Sequence, residues 1–133
     1  MATLEDSIYA YLLSQSAITA YVADRIYFAE TAAAETQDYI RYAVVIPSNR
    51  PVSFSDTTTA QPVVQFDVFS QSKGNALAIA NLLVTALHGF SGTLGTGGNT
   101  VTTSTADGPV VIADESAPGW YHGIVDWRVE YTR

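Results

Sequence analysis

A glycine-rich stretch, HGFSGTLGTGGNT at residues 88–100, is the first part of the sequence that suggests chemistry. Glycine-rich loops cradle phosphates when they join a strand to the N-terminus of a helix, because the free amides and the helix dipole hold the anion. Here the stretch leaves a predicted helix and enters a predicted strand, so the nearest helix end repels anions. It contains no Gly-Lys-Ser or Gly-Lys-Thr, and GTGGNT lacks the G-x-G-x-x-G spacing. We therefore expect a mobile surface loop and no cofactor.

Two histidines, His88 and His122, are the side chains able to act as general bases near neutral pH. His88 falls in the last turn of a predicted helix, where a partly charged imidazole interacts favourably with the helix dipole. His122 lies on the polar face of the last predicted strand, near Asp126 and, across a hairpin, near Asp114 or Glu115. An acid–base or metal site there would need a ligand spacing that this sequence does not show.

The serines and the remaining charges also carry no recognisable catalytic pattern, since no G-x-S-x-G elbow is present. We therefore predict no catalytic residue, no metal site and no enzyme activity. The charged side chains of the predicted strands are interpreted as an exposed face that is paired across strands, formed by Arg41, Asp67, Asp126, Arg128 and Glu130.

The composition is that of a globular chain with room for one core. Hydrophobic residues make up 47% of the 133 residues and charged residues only 14%, a balance typical of a folded domain. A freely soluble monomer usually carries more surface charge, so we expect part of the surface to be buried against other subunits. We predict a single domain over residues 1–133.

The charge balance excludes several classes of partner. Thirteen acids against six scattered bases give a net charge of −7, which argues against binding nucleic acid through its phosphates. The absence of cysteine excludes disulfides and thiolate metal sites. The N-terminal MATLEDSIYAYLL lacks the basic leader of a secretory signal, and no apolar run approaches the roughly 20 residues that span a bilayer. We expect a protein that works without a membrane.

Hydrophobic periodicity predicts the element order α-α-β-β-α-β-β-β. The predicted helices cover residues 3–15 with a Thr3 cap, the segment AITAYVAD after a Ser16 cap, and residues 73–88 after a Ser72 cap. The buried stripe of the third helix is predicted to be Leu77, Ala80, Leu83, Val84 and Leu87, with Gly89 ending the helix.

The predicted strands cover residues 39–46 and 63–70, a hairpin VTTST–ADGP–VVIAD, and the final WYHGIVDWRVEYT, after a short extended piece at Ile26 and Phe28. Short links between strands indicate an α+β domain with a mainly antiparallel sheet of about four to five strands. We expect the helices to pack on one face of that sheet.

Three aromatic residues are candidates for contacts with a partner. Trp127 is in phase with the core, whereas Trp120 follows SAPG at a turn and is placed to act as an exposed anchor. Phe54 and Phe90 lie in NRPVSFSDTTTAQP and FSGTLGTGGN, two connections that are long and polar for simple loops. Long loops of this kind are usually functional, so we predict partner contacts at Trp120, Phe54 and Phe90.

The order of elements resembles the tail completion, or head-to-tail joining, proteins of long-tailed bacteriophages and prophages. The similarity runs through SAITAYVADRIYF, YIRYAVVIPS and the more specific VVQFDVFSQSKGNALAIANLLVTALHGFSGT, and it ends with GWYHGIVDWRVEYTR. It covers nearly the whole chain. The region around residues 92–108 is longer and richer in Gly and Thr than the family pattern, and the family offers no catalytic motif to carry over.

The resemblance implies a small α+β structural subunit of a homo-oligomeric ring, with a hexamer favoured. Such a ring lies at the head-proximal end of the tail, terminates the tail tube and contacts both the tail tube protein and the head connector protein. The protein would be made in the host cytoplasm and reside in the virion. The acidic balance suits a channel through which DNA slides without sticking, because like charges repel.

Other classes of function remain open at this stage. An assembly chaperone or small binding module for another phage structural protein would share the size and acidity but be absent from the finished particle. An enzyme that uses His122 and nearby acids is a third reading, which a folded but inactive His122→Ala variant would support.

Overall fold

The computed structural model describes residues 3–29, 37–46, 59–95, 98–113 and 119–132. The elements follow in the order α1 (Leu4–Leu13), α2 (Ser16–Val22), β1 (Ile26–Phe28), β2 (Tyr39–Ile46), β3 (Thr59–Ala60), β4 (Val63–Ser70), α3 (Lys73–Leu87), β5 (Gly92–Thr93), β6 (Thr100–Ala113) and β7 (Tyr121–Thr132). In this described part, no helix is both long enough and apolar enough to cross a bilayer.

The strands form one sheet in the order β1-β2-β4-β7-β6-β5, and β3 pairs with β7. The predicted α+β class is confirmed. The predicted strand number is too low, because the described residues form seven strands, of which β1, β3 and β5 have only two or three residues and leave no periodic pattern. The sheet is mixed, since β1 pairs with β2 in parallel while the other pairs are antiparallel.

Alternating residues of the central strands form one buried face, which we call the helix face. Its members lie directly opposite each other in register: Val64 with Trp127, Phe66 with Val125, and Val68 with Gly123. The backbone of α3 lies over Gly123, where a Cβ would be 3.5 Å from the Ala76 carbonyl oxygen. Burial of these apolar side chains is the main source of stability of the domain.

Hydrogen bonds from the helix face fix two helices on the sheet. Tyr42 Oη donates to the Glu5 carbonyl of α1 at 2.7 Å, and Trp127 Nε1 donates to the Leu87 carbonyl at the end of α3 at 3.1 Å. The side chains of Tyr42 and Trp127 are almost completely buried. These bonds satisfy polar groups that burial would otherwise leave without a partner.

The helix ends predicted from capping residues are largely confirmed. Thr3 Oγ1 accepts from the Asp6 amide, and Ser72 Oγ accepts from the Asn75 amide, as predicted. Ser16 is wrong as a cap, since it is the first residue of α2, and the capping position is Gln15 without a side-chain hydrogen bond. Gly89 follows α3 with φ of 73°, a conformation that favours glycine.

The predicted buried stripe of α3 is wrong at Leu77, whose side chain is 45% exposed. The side of α3 that packs against the sheet is rotated slightly about the helix axis from the predicted side. The buried residues of this helix are Ala76, Ile79, Ala80, Leu83 and Leu87. Three of the five predicted positions are therefore buried, and Val84 is half-buried.

The predicted turn at ADGP is wrong, because residues 100–113 form one continuous strand, β6, paired along its length with β7. The ladder shifts register between Asp107 and Val110, so Gly108 and Pro109 form a β-bulge. Gly108 has φ of 125°, which glycine adopts without the penalty of a side chain. Glycine and proline therefore mark a bulge in this sheet, although the same residues also favour turns.

The glycine-rich stretch does not behave as the predicted mobile loop in its described part. Leu94 is fully buried, and its amide donates to the Asn99 carbonyl at 2.9 Å. Ser7 of α1 makes two hydrogen bonds with Asn99: its Oγ donates to Asn99 Oδ1 at 2.8 Å and accepts from the Asn99 amide at 3.1 Å. A Cβ at Gly98 would overlap the Leu94 carbonyl, so glycine is required for this close packing. The stretch is a structural connection anchored to α1.

Candidate interaction surface

The sheet has a second face, opposite the helices, which we call the open face. It is formed by Tyr39, Arg41 and Ala43 of β2, Gln65, Asp67 and Phe69 of β4, His122, Ile124 and Asp126 of β7, and Asp107, Val110 and Ile112 of β6. The register aligns them in three rows across four strands. One row is Tyr39, Phe69, His122 and Ile112, the next is Arg41, Asp67, Ile124 and Val110, and the third is Ala43, Gln65, Asp126 and Asp107.

Asp67 is the centre of a polar cluster on the open face. Its Oδ1 lies 2.7 Å from His122 Nε2 and accepts from Gln65 Nε2 at 2.8 Å. Its Oδ2 lies 3.5 Å from Arg41 Nη2. Asp67 is only 4% exposed, so these neighbours replace water around a buried carboxylate.

The environment of Asp67 sets its ionisation. Burial alone would raise its pKa, but the hydrogen bonds from His122 and Gln65 and the charges of His122 and Arg41 outweigh that effect and hold the pKa below its ordinary value. Asp67 is therefore a carboxylate at neutral pH. It accepts hydrogen bonds and is not a proton donor.

Stacked aromatic rings cover one side of this cluster. The rings of Phe69 and His122 are parallel with centroids 4.6 Å apart, and Tyr39 stacks on Phe69 at 4.8 Å. The Arg41 guanidinium lies 5.7 Å from the centre of the Phe69 ring, a cation–π geometry. The aromatic layer shields the ion pair of Asp67 from solvent, which explains the burial of a charge on a face without helices.

The structure corrects the predicted surroundings of both histidines. The described partner of His122 is Asp67, while Asp126 lies four residues along the same strand and Asp114 and Glu115 lie outside the described residues. His88 Nδ1 accepts from the Ala106 amide at 3.1 Å, so the described partner of this side chain is the backbone of β6, and its interaction with the helix dipole stays a prediction.

The predicted exposed charged face is correct only in part. The cross-strand pair of Arg41 and Asp67 is confirmed, but Asp67 is buried. Arg128 and Asp107 form an exposed pair at 3.5 Å. Asp126 is half-buried, and its Oδ1 has no hydrogen-bond partner among the described residues.

The cluster offers no visible reaction chemistry. Asp67 and His122 resemble the acid–base half of a catalytic triad, but no nucleophilic side chain contacts His122 in the described ranges. In the same ranges, no group of three His, Cys, Asp or Glu is arranged to hold a metal ion. The arrangement is that of a rigid, buried ion pair in a protein surface.

The predicted partner-contact residues have different surroundings. Trp120 is half-buried, with its ring edge-on to Tyr39 at 5.9 Å, next to the open face. Phe90 is half-buried against Tyr11, with ring centroids 4.7 Å apart, and packs on the core. Phe54 lies outside the described residues. The role of all three as partner contacts remains a prediction.

Exposed apolar side chains that sequence reasoning missed lie at the β6 end of the open face. Val110 is 55% exposed and Ile112 is 49% exposed, and Ile124 lies directly opposite Val110. The segment VVIAD was predicted as a strand of a hairpin, whereas its exposed side follows from the observed pairing with β7. Neighbouring exposed apolar side chains are a candidate interaction site.

Comparisons with known proteins agree with this architecture. A family model described as "Tail completion protein gp17" matches residues 6–132. A search of curated proteins gave no match. A solved structure described as "Virion of native gene transfer agent (GTA) particle" aligns with a TM-score of 0.67 and 18% identity, covering 95% of this chain and 92% of that chain. A second solved structure aligns with a TM-score of 0.52 and 16% identity over 99% and 97% of the two chains.

At these identities the two structures show a shared fold, whereas the family model covers nearly every residue of the chain. The chain therefore belongs to the tail completion protein gp17 family, and it is a structural protein of the phage tail.

Proposed function

We propose that this protein is the subunit of an oligomeric ring at the head-proximal end of the tail, where it terminates the tail tube and joins it to the head connector. The observation that carries the proposal is the family match over residues 6–132, which leaves almost no part of the chain for a different activity. A hexamer is the favoured copy number. The partners are the tail tube protein on one side and the head connector protein on the other.

The surface supports an assembly role. A sheet with helices on one face and an apolar patch at Val110 and Ile112 on the other leaves hydrophobic area that another subunit would remove from water. Trp120 borders the same face and is proposed as a contact with a neighbouring protein, together with Phe54 and Phe90. The net charge of −7 would keep DNA from adhering to the inside of such an oligomeric ring.

The first experiment is electron microscopy of a lysate from a phage or prophage that carries a stop codon in this gene. We expect filled heads beside unattached tails, with tails of uncontrolled length, and normal virions when an intact copy is supplied in trans. Intact virions of normal shape without the protein would contradict the proposal.

Mass spectrometry of purified virions provides the second measurement. A ring subunit is present in the particle at a constant, low copy number. A protein that is required for assembly but absent from purified virions would instead be an assembly chaperone, and the ring proposal would then be wrong.

A further inference from the structure

The outer edge of β6 is covered along only part of its length. β6 has 14 residues, but β5 pairs with only Thr100 and Val101. The end of α3 covers the next part: the Gly89 amide donates to the Ser104 carbonyl at 3.2 Å, and His88 Nδ1 accepts from the Ala106 amide. Beyond the bulge, the described ranges of the chain place no strand beside residues 108–113.

Alternate residues of β6 direct their backbone N–H and C=O groups away from β7, toward this uncovered edge. Ser104 and Ala106 direct polar groups away from β7, so the bonds to β7 come from the residues between them. The bulge adds one residue and shifts this alternation. Val111 and Ala113, opposite Gly123 and Tyr121, therefore direct their N–H and C=O groups outward.

The side chains at the end of this edge do not protect it. Proteins usually guard an exposed edge with charged residues, a proline, a β-bulge, a covering element or a very short strand, because a free edge recruits another strand. Pro109 and the bulge protect the start of the uncovered part, but residues 110–113 read VVIA and contain neither a charge nor a proline. Here the protecting charges are missing, and the exposed Val110 and Ile112 add apolar area. An edge of this kind is typical of a sheet that a strand of a partner extends.

We propose that residues 110–113 of β6 pair with β1 of a second copy of this chain, so that the sheet continues from one subunit to the next. The proposal rests on the proposed oligomeric ring and identifies its subunit contact. β1 stands at the opposite end of the described strand order. An interface between two different surfaces of the same chain is the kind that closes into a ring.

Strand direction supports this partner. β1 runs parallel to β2, and the successive pairs of β2, β4, β7 and β6 are antiparallel, so β6 runs opposite to β1. A neighbour rotated about an axis along the strands keeps its strand directions. Its β1 therefore meets β6 in an antiparallel arrangement, which allows direct backbone hydrogen bonds.

Charge also favours this pair of edges. β1 reads IYF and the uncovered part of β6 reads GPVVIA, so neither carries an acid. In a chain with a net charge of −7, contacts that bring carboxylates of two copies together are unfavourable. These two edges meet without that repulsion, and exposed Phe28 and Ala113 lie on the same helix face of the joined sheet.

Cysteine cross-linking tests the contact, because the natural chain contains no cysteine. The double variants Phe28→Cys/Val111→Cys and Phe28→Cys/Ala113→Cys cover two registers of the same face, and a short bismaleimide is added to virions that carry them. We expect a ladder of dimers and larger covalent oligomers in denaturing gels. The single variants, and Phe28→Cys/Asn81→Cys with Asn81 exposed on α3, serve as controls and should remain monomeric.

The outcomes separate the contact from the proposed function. If the variants are present in virions at the normal level but neither edge pair links, the β6–β1 contact is wrong and the oligomeric ring stands. If the protein is absent from virions, the ring is wrong and the contact is wrong with it.

A backbone variant provides an independent measurement. Val111→Pro removes an outward N–H without touching the bonds to β7, whereas Val111→Thr keeps it. With folding verified by circular dichroism, we expect incorporation of the proline variant into virions to fall by about tenfold or more, and the threonine variant to match the natural protein. Normal incorporation of folded Val111→Pro would overturn the proposal.

Discussion

Asp67 and His122 lie on neighbouring strands of the open face, with 2.7 Å between Asp67 Oδ1 and His122 Nε2. The two residues are 55 positions apart in the chain. Together with Arg41 they allow an ionised carboxylate to remain buried without a helix above it. This pair ties β4 to β7 through side chains as well as through the backbone ladder, and it keeps the central part of the open face rigid.

Replacement of Asp67 by asparagine should lower the free energy of unfolding by about 1–3 kcal/mol at neutral pH, because Arg41 and His122 lose a buried charged acceptor. Urea denaturation followed by circular dichroism measures the change. Asp107→Asn is the matched control, since the Asp107 side chain is 59% exposed and its pair with Arg128 should contribute less than about 1 kcal/mol. Equal effects of the two variants would show that the buried cluster is not stabilising.

The same carboxylate predicts the pH dependence of stability. The pKa of Asp67 in the folded protein lies below its ordinary value of 3.8, so the unfolded chain binds the proton more readily. Its stabilisation is complete above that ordinary value and is lost as the pH falls through it toward the lower folded value. The stability difference between the natural protein and Asp67→Asn should therefore shrink as the pH falls from about 5 to about 3. A difference that stays constant across this range would contradict the lowered pKa.

Leu94 should be the most sensitive side chain of the glycine-rich stretch. It is fully buried among core residues, so Leu94→Ala should cost about 2–5 kcal/mol through lost contacts and the cavity that remains. Thr93→Ala, at an exposed neighbour, should change stability by less than about 0.5 kcal/mol. Thermal unfolding of the two variants decides the question. If Leu94→Ala were as stable as the natural protein, the stretch would not be anchored as the structure shows.

Leu77 and Leu83 of α3 were both predicted to be buried, and the structure buries only Leu83. Leu83 is fully buried and Leu77 is 45% exposed. Leu83→Ala should destabilise the domain by about 2–5 kcal/mol, and Leu77→Ala by less than about 1 kcal/mol. Denaturant midpoints of the two variants measure the difference. A larger loss at Leu77 would restore the stripe that helical periodicity predicts.

Sequence patterns predicted the elements correctly where the pattern depends on residues close together in the chain. The observed bounds of β2 and β4 equal the predicted ones, because alternating apolar residues at Ile40, Tyr42 and Val44 and at Val64, Phe66 and Val68 face one core. The caps at Thr3 and Ser72 were equally readable, since each depends on residues three positions apart. The three helices, the strands β2, β4 and β7 and the α+β class follow from such signals.

Features that depend on distant contacts were not predictable. Leu94 is buried because Ser7, 92 residues away from Asn99 in sequence, holds that segment against α1. The partner of His122 depends on the sheet order, which places β4 beside β7. β3 and β5 exist only because longer strands offer them an edge. The prediction of His122 near Asp126 followed sequence distance, whereas the pairing of strands decided the actual neighbour.

The bulge at Gly108 and Pro109 also limits how the length of the chain can vary. Before it, Ser104 and Ala106 point to the helix face, and after it Val111 does. Deletion of Gly108 or Pro109 would remove the bulge and leave Val110 and Ile112 on the open face in the same register with β7, whereas deletion of one residue within 110–113 would reverse the two sides of the strand beyond the deletion. Relatives that keep the same contact should therefore accept the loss of one residue at positions 108–109 more readily than a deletion within residues 110–113.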